Sequence, residues 1–574
     1  MEGGNKKRYN TNTQIVMNDM DEQPSMARSG IKSQRRLTLW LSSIDEAKLA
    51  MELNNTEPLT AVSAQAAAVL LLLLLLLRFA RATTMAGDRK SVLLSKLPSP
   101  PLRLPVIGHM HLVGSLPHVS LRDLAVKHGP DLMLLRLGSI PTLVVSSPRA
   151  AEAVLRTHDL AFASRPRAMI PDIITYGATD SCYGPYGDHF RKVRKAVTVH
   201  LLNSHKVQAY RPAREEEVRL VIAKLRDAAA GAAAPVDMSE LLHSFANDLI
   251  CRAVSGKFFR EEGRNKLFRE LIDTNASLLG GFNLEDYFPS LARTKLLSKV
   301  ICARAMGVRR RWDQLLDKLI DDHATRLVRR HDQDQDDDDD AQQQQDSDFI
   351  DILLYHQEEY GFTRDNIKAI LVDMFEAGTD TSYLVLESAM VELMRKPHLL
   401  AKLQDEVRRV VPKGQEIVNE DNIVDMVYLK AVIKETLRLH PPAPLYIPHL
   451  SREDCSINGY MIPTGTRVFV NAWALGRDAN FWDMPDEFLP ERFMDFNIDF
   501  KGHDFHFLPF GSGRRMCPGI HSATVTLEIM LANLMYCFNW KLPAGMKEED
   551  IDMTEVFGLT VHQKEKLFLV PQAA

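Results

Sequence analysis

The most apolar stretch of the chain spans residues 61–77, broken only by Ser63 and Gln65 and closing with eight consecutive leucines at 70–77. Its 17 residues lie near the lower limit for a helix that crosses a bilayer. Arg78, Arg81, Arg89 and Lys90 follow it while Glu52 and Glu57 precede it, so the flanking charge predicts a single-pass anchor with the downstream body facing the cytosol. Residues 1–60 are polar and lack sustained periodicity; they are expected to be a disordered extension, with Met51 as the natural start. Residues 78–108 are basic and proline-rich, and the locked φ angles around Leu97-Pro98-Ser99-Pro100-Pro101 predict a semi-rigid hinge between anchor and body.

From 109 to 574 the period changes. Apolar positions recur at helical spacing through residues 214–222 and 399–411, among others. Two short β-rich runs, 132–138 and 142–145, read as a hairpin, and residues 466–470 as a further strand. The expected fold is mainly α with a small β component, in one large catalytic domain. Residues 332–345 hold five consecutive aspartates and four consecutive glutamines; such a run repels itself and predicts a solvated surface loop.

Composition narrows the function. A net charge of -5 gives no cationic excess to neutralise phosphates, so no nucleic-acid partner is expected. The six cysteines are scattered and form no C-x-x-C pair, which excludes a disulfide-stapled scaffold and argues against structural zinc.

One cysteine stands apart. Phe510-Gly511-Ser512-Gly513-Arg514-Arg515-Met516-Cys517-Pro518-Gly519 runs directly into a helical pattern at 520–534. A cysteine at the mouth of a helix is favoured as thiolate by the dipole and the free amides, and thiolate ligation pushes electron density onto a haem iron. Gly513 and Gly519 allow close backbone approach to a flat cofactor, and Arg515 is placed to meet a propionate. The complete pattern F-x-x-G-x-R-x-C-x-G resembles that of the cytochrome P-450 superfamily, and the resemblance extends from the proline-rich hinge to the C-terminus.

Three further segments resemble the same family. Ala377-Gly378-Thr379-Asp380-Thr381-Ser382 is similar to its oxygen-binding helix motif. There Gly378 implies space above iron, and a Thr381 hydroxyl bonded back to the Ala377 carbonyl implies a water-filled opening for protons delivered by Asp380 and Thr381. Glu435-Thr436-Leu437-Arg438 is similar to the E-x-x-R motif and, with Arg492, implies a buried structural charge cluster. Tyr186-Gly187-Asp188-His189-Phe190-Arg191-Lys192-Val193-Arg194 is similar to the W-x-x-x-R segment; Arg194 is expected at a propionate, while Phe190 replaces the tryptophan and its N–H donor.

The proline-rich segments around 96–101 and 441–449 resemble plant microsomal members of the large specialised-metabolism clan. Phe282-Asn283-Leu284-Glu285-Asp286-Tyr287-Phe288-Pro289 resembles grass members that act on indole-type or benzoxazinoid precursors. The resemblance implies a haem b monooxygenase in the endoplasmic reticulum membrane. Its expected substrate is a small hydrophobic plant metabolite, met by Phe375, Ala377, Ala443, Leu445, Leu559 and Thr560. No complete G-x-G-x-x-G fingerprint follows a strand, so NADPH is expected to act only through a separate NADPH-cytochrome P-450 reductase. A haem-thiolate isomerase and a haem sensor are the alternative classes; the Thr381 motif and the anchor disfavour the isomerase.

Overall fold

The computed structural model describes residues 89–574 apart from 232–233, 257–263, 281, 290–297, 301, 334–347 and 496–497. The expected anchor at 61–77, the extension at 1–60 and most of the acidic and glutamine-rich run lie outside the described residues. No helix among the described residues is long and apolar enough to cross a membrane.

The described chain begins with α1 (Arg89–Leu94), α2 (Pro117–His128) and the hairpin of β1 (Leu132–Leu137) and β2 (Ile140–Val145). There follow α3 (Asp188–Val197), α4 (Arg211–Ala230), α5 (Met238–Ser255), α6 (Arg264–Leu279), α7 (Ala303–Gln333), α8 (Arg364–Arg395), α9 (Pro397–Val410) and α10 (Val427–Leu439). The C-terminal part adds β3 (His449–Leu450), β4 (Arg467–Val470), α11 (Ile520–Cys537), β5 (Phe538–Lys541), β6 (Glu555–Phe557), β7 (Val561–Gln563) and β8 (Phe568–Ala573). One sheet has the order β1-β2-β4-β3, with β2 and β4 parallel and Leu143 opposite Val468. The mainly helical reading and the expected hairpin agree with this architecture.

The hinge reading needs correcting at its C-terminal end. Leu94 and Leu97 are buried in one core cluster with Leu134 and Val468, and the Leu134 amide donates to the Pro98 carbonyl at 2.7 Å. From Leu94 onward this segment is part of the body rather than a spacer. Prolines cannot donate hydrogen bonds, but their carbonyls still accept from a strand edge; Leu94 and Leu97, just before the first proline, are buried, while Leu102 and Leu104 among the prolines stay exposed.

α8 is the central helix. Thr363 caps it: its hydroxyl accepts from the Asn366 amide at 3.2 Å while the Asn366 side chain accepts from the Thr363 amide at 2.9 Å. It packs along α5 and is buried almost all round, so its polar residues must find partners inside the protein. Those partners build the site.

Candidate active site

Cys517 lies two residues before Gly519, the N-cap of α11, in a loop held by its own backbone. The Cys517 amide donates to the Phe510 carbonyl at 2.9 Å, the Met516 amide to Gly513 at 3.1 Å, and the Ser512 hydroxyl to Gly502 at 2.7 Å. The Phe510 ring packs on Phe500 with centroids 5.5 Å apart. Gly513 has φ +69°, and a Cβ there would overlap the Leu155 carbonyl oxygen, so contact with a neighbouring turn already requires this glycine. At Gly519 a Cβ would make ordinary contact with Cys517 Sγ at 3.8 Å. Burial pushes the Cys517 thiol up, and the Gly519 amide and Arg194 charge pull it down. A cation bound to this sulfur would release the proton.

Three arginines converge beside the loop. Arg194 donates to the Met516 carbonyl. Arg515 donates to the carbonyls of Ala163 at 2.6 Å and Ser181 at 3.3 Å, and also to Gly184. Arg165, which the motif reading missed, donates to Cys182 at 3.0 Å and Ile447 at 2.6 Å. Among the described residues none of the three forms an ion pair with a carboxylate; their hydrogen-bond partners are backbone carbonyls. A thiol sulfur beside guanidinium groups that form no ion-pair contact among the described residues fits an iron porphyrin with two propionates. Phe190 does more than fill space, since the Arg515 guanidinium lies 3.7 Å from its ring centroid.

The loop at 180–184 joins this region to α8. While Arg515 holds its carbonyls, Asp373 accepts from the Ser181 amide at 2.8 Å, the Ser181 hydroxyl at 2.9 Å and the Cys182 amide at 3.2 Å. Asp180 accepts from the Tyr183 amide at 2.8 Å. Burial pushes both carboxyls up, and the Asp180 charge adds to the effect on Asp373. No motif signals this pair; the sole hint is that Asp373 stands one helical turn before Ala377.

Within the α8 motif, the Thr381 hydroxyl donates to the Ala377 carbonyl at 2.7 Å, the arrangement expected from the sequence. Consecutive helical residues point about 100° apart, so Asp380 and Thr381 face different neighbours. Asp380 is buried and accepts from the Thr560 hydroxyl, with His562 Nε2 at 3.8 Å. Burial raises its carboxyl, against the lowering influence of His562 and Thr560. The space beside Gly378 is taken by Ile250 of α5, with a hypothetical Cβ 2.7 Å from Ile250 Cγ1.

Arg438 grips Glu435 through two hydrogen bonds of 2.7 Å, both side chains being fully buried, and Arg492 Nε lies 3.1 Å from the same carboxylate. The structure thus brings the predicted three-residue cluster together.

The six pocket candidates separate. The Leu559 amide donates to Ala276 of α6 at 2.8 Å and the Val561 amide to Pro442 at 2.9 Å, which draws residues 559–561 towards α6 and the proline-rich 442–445 loop. Ala377 is exposed, and Ala443 and Leu559 are half-buried. Phe375, however, is fully buried against Phe268, with ring centroids 5.2 Å apart, and Leu445 is buried in a cluster with Leu121, Tyr287 and Phe469. Thr560 is directed to Asp380.

Residues 98–570 match the family model described as cytochrome P-450. The chain is 65% identical over 486 residues to the indole-2-monooxygenase of Zea mays, covering 84% of this chain and 88% of the relative. It is 52% identical over 483 residues to the 3-hydroxyindolin-2-one monooxygenase of the same plant, covering 83% and 88% of the two chains. Identity to its indolin-2-one monooxygenase is 50% over 504 residues, covering 86% and 92%. A solved zebra fish cytochrome P-450 with abiraterone shares the fold with a TM-score of 0.66 at 24% identity, covering 80% of this chain and 100% of that one. The chain therefore belongs to the cytochrome P-450 family, and with such relatives at half to two-thirds identity it is a plant monooxygenase, an oxidoreductase.

Proposed function

We propose that this monooxygenase oxygenates a small bicyclic aromatic amine of the indole type, with electrons from a membrane-bound NADPH-cytochrome P-450 reductase. The 65% identity to a protein named indole-2-monooxygenase carries the substrate reading. Haem b is held by Cys517 as iron ligand, with Arg194 and Arg515 neutralising the propionates and Phe510, Gly513 and Gly519 shaping the loop. When bound, the haem-thiolate group supplies reductive activation of O2 and transfer of one oxygen atom to carbon. Thr381 Oγ holds a proton donor on α8, Asp380 replenishes it, and Gly378 lets Ile250 of α5 pack closely against the same turn. Glu435, Arg438 and Arg492 brace the scaffold. Ala377, Ala443 and Leu559 present apolar surface to the substrate. The anchor at 61–77 tethers the body to the cytosolic face of the endoplasmic reticulum, where lipid concentrates a hydrophobic substrate.

The test is reconstitution of the full chain with reductase, NADPH and O2, offering indole, indolin-2-one and 3-hydroxyindolin-2-one separately. The expected result is a singly oxygenated product from indole, dependent on reductase. Failure to turn over any of the three would overturn the substrate reading. In the same preparation, reduced protein with carbon monoxide should show the red-shifted Soret band of thiolate ligation, and Cys517→Ala should lose it. A thiolate-type band surviving in that variant would remove Cys517 as ligand.

A further inference from the structure

One face of α8 carries Glu376, Asp380, Tyr383 and Glu387, spaced three or four residues apart and all buried. It meets α6 and the hairpin of β6 and β7. Thr560 closes the bend just before β7 and His562 lies at the centre of that strand, two residues on, and both side chains meet the α8 face. The Thr560 hydroxyl donates to Asp380, His562 Nε2 lies 3.0 Å from Thr560 Oγ1, and the Tyr383 hydroxyl lies 2.7 Å from His562 Nδ1.

The donor directions follow. Because the one proton of Thr560 is committed to Asp380, Nε2 must carry the hydrogen that Thr560 accepts. In the neutral ring Nδ1 is then the acceptor, and the Tyr383 hydroxyl donates to it. Every link points the same way, from Tyr383 through His562 and Thr560 to Asp380. The outer end borders a cavity of about 310 Å³ lined by Arg269, Asp273, Tyr383, Glu387, His562 and Lys566, among others. At the inner end, Asp380 Oδ1 is buried without a hydrogen-bond partner among the described residues.

A purely structural role does not require this chain. Backbone hydrogen bonds from Leu559 to Ala276, from Val561 to Pro442 and from Gly558 to Thr560 already anchor the hairpin, at 2.8, 2.9 and 2.9 Å.

We propose that Tyr383, His562 and Thr560 form a proton-inlet path from this cavity to Asp380, with His562 as its positioning residue. The proposal rests on the reading that Asp380 and Thr381 supply protons to the reaction. For each proton moved, hydronium formed in the bulk and carried in through the cavity gives its proton to the Tyr383 oxygen, leaving water, as the phenolic proton passes to Nδ1. The Nε2 proton then passes to Thr560, and the Thr560 proton to Asp380. One proton enters and one appears on Asp380; only O–H and N–H bonds break and form, and no oxidant or reductant is needed. Return of the ring to its Nε2–H tautomer and rotation of the hydroxyls reset the chain. The charged and titratable groups around the ring are Asp380, Tyr383 and Glu387 from α8, Arg269 and Asp273 from α6, His243 from α5, and Glu565 and Lys566 just beyond β7.

The test compares the haem-loaded full chain with His562→Gln, whose amide keeps both hydrogen bonds but cannot relay a proton, and with Tyr383→Phe, which removes the outer link. In resting protein without reductase or substrate, time-resolved infrared follows the Asp380 carboxyl band, assigned with Asp380→Asn, after a light-triggered pH jump. The expected result is protonation slowed about tenfold in both variants, short of the ~10²–10⁴ of a complete acid–base contribution because cavity water replaces one link. With reductase and substrate, both variants should release a larger share of NADPH electrons as hydrogen peroxide, increasingly so as pH rises. Wild-type infrared kinetics in folded His562→Gln, or unchanged coupling in both variants, would overturn the path. Loss of the thiolate spectrum or of reductase-dependent product in the wild type would instead overturn the functional reading.

Discussion

Ile250 on α5 occupies the space where a side chain at Gly378 of α8 would go, with its Cγ1 2.7 Å and its Cδ1 2.9 Å from a hypothetical Cβ. Close approach of the two helices is thus one reason for glycine at position 378. Gly378→Ala should destabilise the fold by about 1–3 kcal/mol, the usual cost of overpacking. Adding Ile250→Ala should restore part of the loss, because it removes both crowded atoms. Denaturant unfolding of the single and double variants measures this, and strictly additive losses would show that the contact does not limit position 378.

The Glu435–Arg438 pair makes a second prediction. Besides Glu435, Arg438 donates to the carbonyls of Gly476, Pro485 and Glu487 at 2.6, 2.6 and 2.9 Å. Replacing Arg438 with Met leaves a buried carboxylate with only part of its support from Arg492, a loss of about 3–5 kcal/mol. The expected outcome is a poor yield of folded, haem-loaded protein. Normal yield and unchanged unfolding midpoint would contradict the bracing role.

Thr381→Ala should leave the thiolate-type carbon monoxide spectrum intact, because no contact of the Cys517 loop changes. It should divert NADPH electrons from product to hydrogen peroxide. The loss of coupling is expected near the low end of the ~10²–10⁴ range for a positioned proton donor, since water partly substitutes for the hydroxyl. Product, peroxide and NADPH are measured together; unchanged coupling would remove Thr381 from proton delivery.

Glu376 predicts a pH dependence of stability. Burial pushes its carboxyl up to about 8 from an ordinary 4.5. Between those values the folded state holds a proton that the unfolded state has released, so this group contributes less to stability as pH rises and costs most near pH 8. Glu376→Gln keeps an amide able to accept from Asn275, whose side chain donates to Glu376 at 3.1 Å. It should therefore gain stability relative to wild type from pH 5 to 8, on the order of 2–4 kcal/mol at the upper end by the ~1.4 kcal/mol per unit conversion. Unfolding midpoints of the two proteins that stay parallel across this range would refute it.

What sequence alone determined here was local. The cysteine loop, the Thr381 bond to Ala377, the i, i+3 pairing of Glu435 with Arg438, the hairpin and the mainly helical class all follow from residues close in the chain, where backbone geometry sets which side chains meet. Long-range neighbours were decided only by tertiary packing. Asp380 meets Thr560 across 180 residues and Asp373 meets Ser181 across 192, and no spacing rule joins such pairs. Packing also sent Phe375 and Leu445 into the core and drew Leu94 and Leu97 onto the sheet. The physical reason is that apolar character specifies burial without specifying against which surface. A buried polar group is satisfied by whichever partner the folded chain brings within hydrogen-bonding distance.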